Sequence, residues 1–140
     1  MKKVMVFGVF DGLHDGHREF LRSARREGDF LVAVVTPDHI VYDLKGYLPE
    51  QHAGDRAEHL HREGLADQVV MGDGEMSSWH VVRAHRPDVV ALGYDQHELG
   101  RELELFLAGL GWQTEFRVMP AHRPEVFQSR LLKKAKVRKY

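Results

Sequence analysis

The chain has 140 residues, 43% of them hydrophobic and 29% charged, and its formal net charge is -1. This length favours one domain, residues 1–140, with enough chain for one sheet-centred core. A net charge near zero gives no positive field that would favour a nucleic-acid partner. The sequence has no cysteine, which excludes disulfides and thiolate metal sites and suits a cytoplasmic protein. No stretch approaches the ~20 apolar residues of a membrane span, so no membrane partner is expected.

Short apolar runs rich in valine alternate with segments whose apolar residues have helical spacing. In chain order the predicted elements are a strand over Lys3–Phe10, a helix over Asp15–Arg26, a strand over Phe30–Val35, a helix over Asp55–Glu63, a strand over Gln68–Met71, a helix over Ser77–His85, a strand over Asp88–Leu92, a helix over Glu98–Ala108, a strand over Gln113–Val118 and a helix over Phe127–Arg138. Residues 38–53 are predicted to be irregular because they contain Gly46 and Pro49.

Several details of the helices are also expected. Asp15 is the predicted N-cap of the first helix, and Ser77 or Ser78 that of the third. One face of the fourth helix is predicted to be apolar and buried. Its residues are Leu99, Leu103, Phe106, Leu107 and Leu110.

Alternating strands and helices, with nearly continuous apolar strands, predict a particular α/β architecture. We expect a single Rossmann-like domain with a five-stranded parallel sheet and helices on both faces. In such sheets ligands bind beyond the carboxyl ends of the strands, near the point where the strand order reverses. The residues after the predicted strands are therefore the candidates for a site.

The segment that follows the first apolar strand combines two histidines with glycines at a helix start. In residues 8–17 (GVFDGLHDGH), His14 and His17 are three positions apart, and Gly12 and Gly16 permit close approach of a ligand to the backbone. A helix N-terminus offers free N–H groups and a positive dipole end to a phosphate, and imidazoles there can donate hydrogen bonds to its oxygens.

The sequence permits other interpretations of the histidine pair. The imidazoles could simply cap or pack the helix start. They could also share a zinc ion, but no acid or third histidine is obviously placed to complete such a site, so no metal-ligating residue is predicted. The sequence has neither a G-x-x-x-x-G-K-[ST] loop nor a G-x-G-x-x-G turn after the strand.

Residues 8–17 resemble the G-x-F-D-x-x-H-x-G-H motif of the cytidylyltransferase-like nucleotidyltransferases. The resemblance continues through Lys45, where the family often has a phosphate-contacting lysine, and through Asp55-Arg56, which is similar to its E-R helix start. Residues 87–96 (PDVVALGYDQ) look like the fourth-strand segment, and their G-Y-D-Q ending is similar to archaeal-type FAD synthases.

The resemblance implies a reaction without a covalent intermediate, in which a substrate phosphate attacks the α-phosphorus of a nucleoside triphosphate and pyrophosphate leaves. It implies catalytic roles for His14, His17 and Lys45. The remaining implied site residues would contact the nucleotide or the acceptor: Gly8, Val9, Phe10, Asp11, Asp15, Gly16, Gly93, Tyr94, Asp95, Gln96, Arg123 and Ser129. Mg²⁺ would be held mainly by the triphosphate and water.

The substrates implied by the resemblance are ATP or CTP and a small phosphorylated acceptor. The leading hypothesis is FAD formation from ATP and FMN, and the alternative is CTP-dependent cytidylylation of glycerol 3-phosphate or a related alcohol phosphate. Gln128-Ser129-Arg130 stands where FAD-synthase-like members tend to have K-S-S, and the C-terminal cysteines associated with the archaeal flavin enzymes are missing.

The sequence leaves two other classes of function open. A non-catalytic nucleotide-binding module would not need both imidazoles, and a metal-dependent hydrolase would bind its ion directly through them. By analogy with the family, a homodimer is possible.

Overall fold

The computed structural model describes residues 1–121. Its elements in chain order are β1 (Lys3–Gly8), α1 (Asp15–Arg25), β2 (Phe30–Val35), α2 (Asp38–Lys45), α3 (Ala53–Glu63), β3 (Gln68–Met71), α4 (His80–His85), β4 (Val89–Leu92), α5 (His97–Gly109) and β5 (Glu115–Val118). The helix predicted over 127–138 lies outside the described residues.

All five strands are parallel and lie in the order β3-β2-β1-β4-β5. On one face of the sheet, Leu21 of α1 and Leu60 of α3 are fully buried in the same apolar cluster. On the other face, Val82 of α4 packs in a cluster with Leu103 and Leu107 of α5. The predicted Rossmann-like sheet with helices on both faces is therefore confirmed.

The strand order reverses between β1 and β4. The ladder between β1 and β2 continues to Gly8↔Val35, whereas the ladder between β1 and β4 ends at Met5↔Val90. The carboxyl-terminal half of β1 thus has a paired neighbour on one side only. A crevice at this position is what a doubly wound sheet provides for a ligand.

Residues 38–45 form a helix, so the prediction that 38–53 is irregular was wrong for this part. The helix α2 starts after Pro37 and ends at Gly46, whose φ of 82° is the left-handed conformation that glycine adopts easily. Ile40 and Val41 are buried and give the helix its tertiary support. Gly46 is therefore a helix stop and not a sign of irregular chain.

The expected start of α4 and end of α5 also differ from the structure. The N-cap of α4 is Trp79, and no side chain caps it locally. The backbone N–H of Val81, in the first turn of α4, instead donates to the Asp73 carboxylate at 3.0 Å. Leu110 lies beyond α5 and is 39% exposed, although Leu103 and Leu107 are buried as predicted. In residues 1–121 no helix has the length and apolar character needed to cross a bilayer.

Candidate active site

A cleft with a volume of about 370 Å³ lies beyond the carboxyl ends of β1 and β4. Most of the predicted site residues within the described part of the chain line it: Gly8, Val9, Phe10, Asp11, His14, Gly16, His17, Lys45, Gly93, Tyr94, Asp95 and Gln96. Asp15 is not among the lining residues; its side chain is 83% exposed and pairs with Arg18. The predicted residues Arg123 and Ser129 lie outside the described residues.

The turn after β1 is set by the packing of Phe10 against Gly8. Phe10 has a φ of 53°, which is uncommon for a residue with a side chain, and only 3% of it is exposed. A Cβ on Gly8 would lie 2.8 Å from the Phe10 ring, so the ring occupies the space that only glycine leaves open. This packing ends the strand two residues earlier than predicted and leaves the turn along the cleft.

His14 and His17 form a capping box at the start of α1, in which each side chain accepts a backbone hydrogen bond. The N-cap is His14 and not the predicted Asp15: its Nδ1 accepts a hydrogen bond from Gly16 N at 3.0 Å. The His17 Nδ1 accepts from His14 N at 3.3 Å. An imidazole nitrogen with a lone pair replaces the usual Ser, Thr, Asp or Asn oxygen.

These bonds fix the proton positions on both rings. A backbone N–H can only donate, so each Nδ1 must carry a lone pair, and each neutral ring carries its proton on Nε2. The two rings stack with centroids 3.8 Å apart and planes 25° apart, and Phe10 meets His17 edge-to-face at 5.7 Å. The cap therefore places two stacked imidazoles at the start of α1, where the positive end of the helix dipole favours negative charge.

The segment between α2 and α3 forms another wall of the cleft. The Asp11 carboxylate accepts hydrogen bonds from Glu50 N at 2.8 Å and Gln51 N at 3.0 Å, so it ties this segment to the end of β1. Gln51 Oε1 in turn accepts from Gly12 N at 3.3 Å. Lys45, in the last turn of α2, lines the same cleft and brings a positive charge to it.

Arg56 holds this wall together, although the sequence singled it out only as part of an E-R resemblance. Its side chain is fully buried, and the guanidinium donates to the carbonyl oxygens of Gln51, Val9 and Thr36 at 3.0, 2.7 and 2.8 Å. It also donates to Asp38 Oδ1 at 2.7 Å. Burial raises the pKa of Asp38, but the hydrogen bonds and charge of Arg56, with the Ala53 N–H, outweigh burial and lower that pKa below its ordinary value.

Gln96 joins β1 to the turn after β4. Its Nε2 donates to Phe7 O at 2.9 Å, and its Oε1 accepts from Gly93 N at 2.8 Å. The side chain was predicted to contact the nucleotide or the acceptor; it lines the cleft and is 5% exposed. Tyr94 is 44% exposed beside it. Burial of its hydroxyl, followed by the charge of Asp95, raises the pKa of Tyr94 above its ordinary value.

The donor set of the cleft suits phosphate. Within residues 1–121 no three His, Asp or Glu side chains cluster in a way that could hold a metal ion. The cleft instead brings together imidazole N–H groups, a lysine and a helix N-terminus, all of which favour anionic oxygens. An ion such as Mg²⁺ would fit here together with the phosphates that bind it.

Comparison with known proteins identifies the family of the chain. Residues 5–135 match the family described as cytidylyltransferase-like. The FAD synthase of Pyrococcus abyssi is 40% identical over 118 residues, 84% of this chain and 80% of the relative, and that of Pyrococcus horikoshii is 38% identical over the same shares. The structure of a lipopolysaccharide core biosynthesis protein from Thermoplasma volcanium superposes with a TM-score of 0.81 at 30% identity, covering 87% of this chain and 98% of that protein. The chain therefore belongs to the cytidylyltransferase-like family and is a nucleotidyltransferase.

Proposed function

We propose that this nucleotidyltransferase transfers AMP from ATP to FMN and forms FAD. The observation that carries the chemistry is the stacked His14–His17 pair, which lines the same cleft as Lys45. The choice of FMN as acceptor is supported by the FAD synthases, to which most of the chain is similar.

In the proposed step, an oxygen of the FMN phosphate attacks the α-phosphorus of ATP. The bond between that phosphorus and the oxygen bridging to the β-phosphate breaks, and pyrophosphate leaves with the bond electrons. Negative charge grows on the phosphate oxygens, and donors positioned before the reaction stabilise that charge. His14 and His17 would provide these donors at the positive end of the α1 dipole, and Lys45 would neutralise the triphosphate.

Mg²⁺ belongs to this proposal as an ion that arrives with the triphosphate. It would be bound by phosphate oxygens and water, and it would offset charge on the leaving pyrophosphate. We expect turnover to stop when the divalent ion is chelated and to return when Mg²⁺ is added in excess. Full activity after exhaustive chelation would contradict this part of the proposal.

The substrates are tested by a matrix of ATP or CTP with FMN or glycerol 3-phosphate in the presence of Mg²⁺. Pyrophosphate release reports turnover, and chromatography identifies the product. We expect FAD from ATP and FMN. If no FAD forms and CDP-glycerol appears from CTP and glycerol 3-phosphate, the alternative cytidylyltransferase activity replaces the proposal.

The catalytic role of the histidines is tested with a variant that keeps the N-cap hydrogen bond and removes the proposed donor. In His14→Asn, the side-chain oxygen can replace Nδ1 as the N-cap acceptor, but nothing replaces the Nε2–H. We expect kcat to fall by about 100- to 1,000-fold, as for other lost transition-state donors, with a much smaller change in ATP affinity. His61→Asn, an exposed position on α3, is the matched control. Equal losses of kcat/KM and ATP affinity would contradict the transition-state role and leave His14 a group that only binds the nucleotide, whereas a non-catalytic nucleotide-binding module would give no turnover in the wild type.

Three further parts of the proposal depend on other measurements. Arg123 and Ser129 stay predictions as phosphate contacts, and their alanine variants should raise the KM for ATP.

The homodimer stays a prediction that size-exclusion chromatography with light scattering can test. Tyr42, Leu44 and Leu48 are exposed apolar residues that a second copy would cover. A cytoplasmic location stays a prediction that cell fractionation can test.

A further inference from the structure

A second cleft of about 370 Å³ shares a wall with the candidate active site. It lies beyond the ends of β2 and β3, between the segment 73–79 and the start of α5. Phe7, Asp95 and Gln96 line both clefts, so the two spaces meet at the end of β1. Its volume lies in the range of small-molecule sites, which is roughly 300–1,000 Å³.

The lining of this second cleft is aromatic and apolar at its base and acidic at its rim. Phe7, Val34 and Ile40 are buried side chains of the base, and Trp79 lies at its side. The ionisable side chains of the rim are all carboxylic acids: Asp73, Glu75, Asp95, Glu98 and Glu102. Among the described lining residues there is no Lys, Arg or His. Like charges repel, so this cleft disfavours a phosphate and favours an uncharged, flat group.

Trp79 is positioned by a ring contact with the sheet and by the backbone conformation of its own segment. Its ring meets Phe7 edge-to-face, with centroids 6.3 Å apart and planes at 81°. Trp79 and Ser77 both have positive φ values, 57° and 60°, which persist only where the surroundings determine the backbone. Those surroundings include the hydrogen bond from Ser77 Oγ to Glu102 Oε1 at 3.0 Å.

We propose that the second cleft binds the planar aromatic ring of the acceptor and that Trp79 determines the preference for such a ring. This inference rests on the proposed function. The acceptor would enter with its uncharged ring on the apolar base of the cleft, beside the Trp79 ring. Its phosphate would lie across the shared wall, near the donors of His14 and His17. An acceptor without a ring, such as glycerol 3-phosphate, would leave this cleft empty and meet only its acidic rim.

The inference is tested first on the unmodified protein with lumiflavin, which has the flavin ring and no phosphate. We expect lumiflavin to inhibit FAD formation competitively with FMN and not with ATP. Competition with ATP alone would place the ring in the nucleotide cleft and overturn the inference.

The second test measures FMN binding directly through quenching of flavin fluorescence. Base–aromatic stacking contributes enough that its loss should weaken FMN binding by about tenfold in Trp79→Leu, whereas Trp79→Phe should retain most of the affinity. The control is Trp112→Phe, because Trp112 packs under Arg86 away from both clefts. ATP affinity, measured in the same variants, should change less than about twofold.

The outcomes separate this inference from the proposed function. If the wild type forms FAD and a folded Trp79→Leu variant binds FMN as tightly as the wild type, the inference fails and the function stands. If the wild type neither binds FMN nor forms FAD, the proposed function fails first. Should Trp79→Leu not fold, lumiflavin that competes with ATP and not with FMN would overturn the inference.

Discussion

Replacing Arg56 with methionine should remove the support of one whole wall of the active site. The guanidinium is fully buried and makes four hydrogen bonds, three to carbonyl oxygens and one to the Asp38 carboxylate. Hydrogen bonds from a charged group contribute about 1.5–3 kcal/mol each, but simple addition overestimates the loss because methionine fills much of the space. The substitution leaves the carbonyl oxygens of Val9 and Thr36 without their buried donor, at about 1–3 kcal/mol each, and leaves the 31% exposed Asp38 carboxylate without its cation. We therefore expect a loss of about 3–5 kcal/mol in the free energy of unfolding.

The loss is measured by urea unfolding followed by circular dichroism, with equal m-values as the condition for comparing variants. Arg62→Met is the matched control, because Arg62 lies exposed on the same helix, α3, and should change the free energy of unfolding by less than about 0.5 kcal/mol. Arg56→Lys keeps the charge but not the planar set of donors, so it should fall between the two. A loss below about 1 kcal/mol for Arg56→Met would refute the reasoning, because the four hydrogen bonds would then contribute little.

Two further predictions concern packing and pH. Gly8→Ala should lower the free energy of unfolding by about 1–3 kcal/mol, because its Cβ would meet the Phe10 ring. The control Gly54→Ala lies in open space on α3 and should be neutral or stabilising. If Gly8→Ala were no more destabilising than Gly54→Ala, the packing of Phe10 against Gly8 would be contradicted. The pKa of Asp38 is lowered in the folded state, so its contribution to stability is present above its ordinary value of 3.8 and disappears as the pH falls through the lowered pKa. The destabilisation caused by Asp38→Asn should therefore be largest near pH ~6 and shrink below pH ~4 in urea titrations, and a pH-independent difference would refute this linkage.

The sheet and the histidine motif were predictable because their evidence is local in sequence. Runs such as Phe30–Val35 are apolar throughout, and they became strands buried on both faces. The cleft followed from a general rule about where the strand order of an α/β sheet reverses. His14 and His17 could be placed at its edge because a strand and a helix with clear patterns flank them.

The details that could not be predicted depend on contacts between distant parts of the chain or on unusual chemistry. Asp73 satisfies the start of α4 from eight residues before Val81, so the nearby serines looked like better caps. His14 replaced Asp15 as the N-cap because an imidazole nitrogen accepted the hydrogen bond, which preferences for N-cap residues do not anticipate. The partners of Arg56 lie on three separate segments, and only the folded chain brings them together.

The Gln96 side chain gives the active-site crevice a defined width. Beyond Met5↔Val90 the backbones of β1 and β4 no longer pair, and the amide of Gln96 reaches from Phe7 O to Gly93 N. The distance between the ends of β1 and β4 thus depends on the length of the Gln96 side chain. Asparagine would keep the amide but shorten the side chain by one methylene, so it would either break a hydrogen bond or draw the turn after β4 towards β1. The width of the cleft is therefore open to adjustment by substitution of a single side chain.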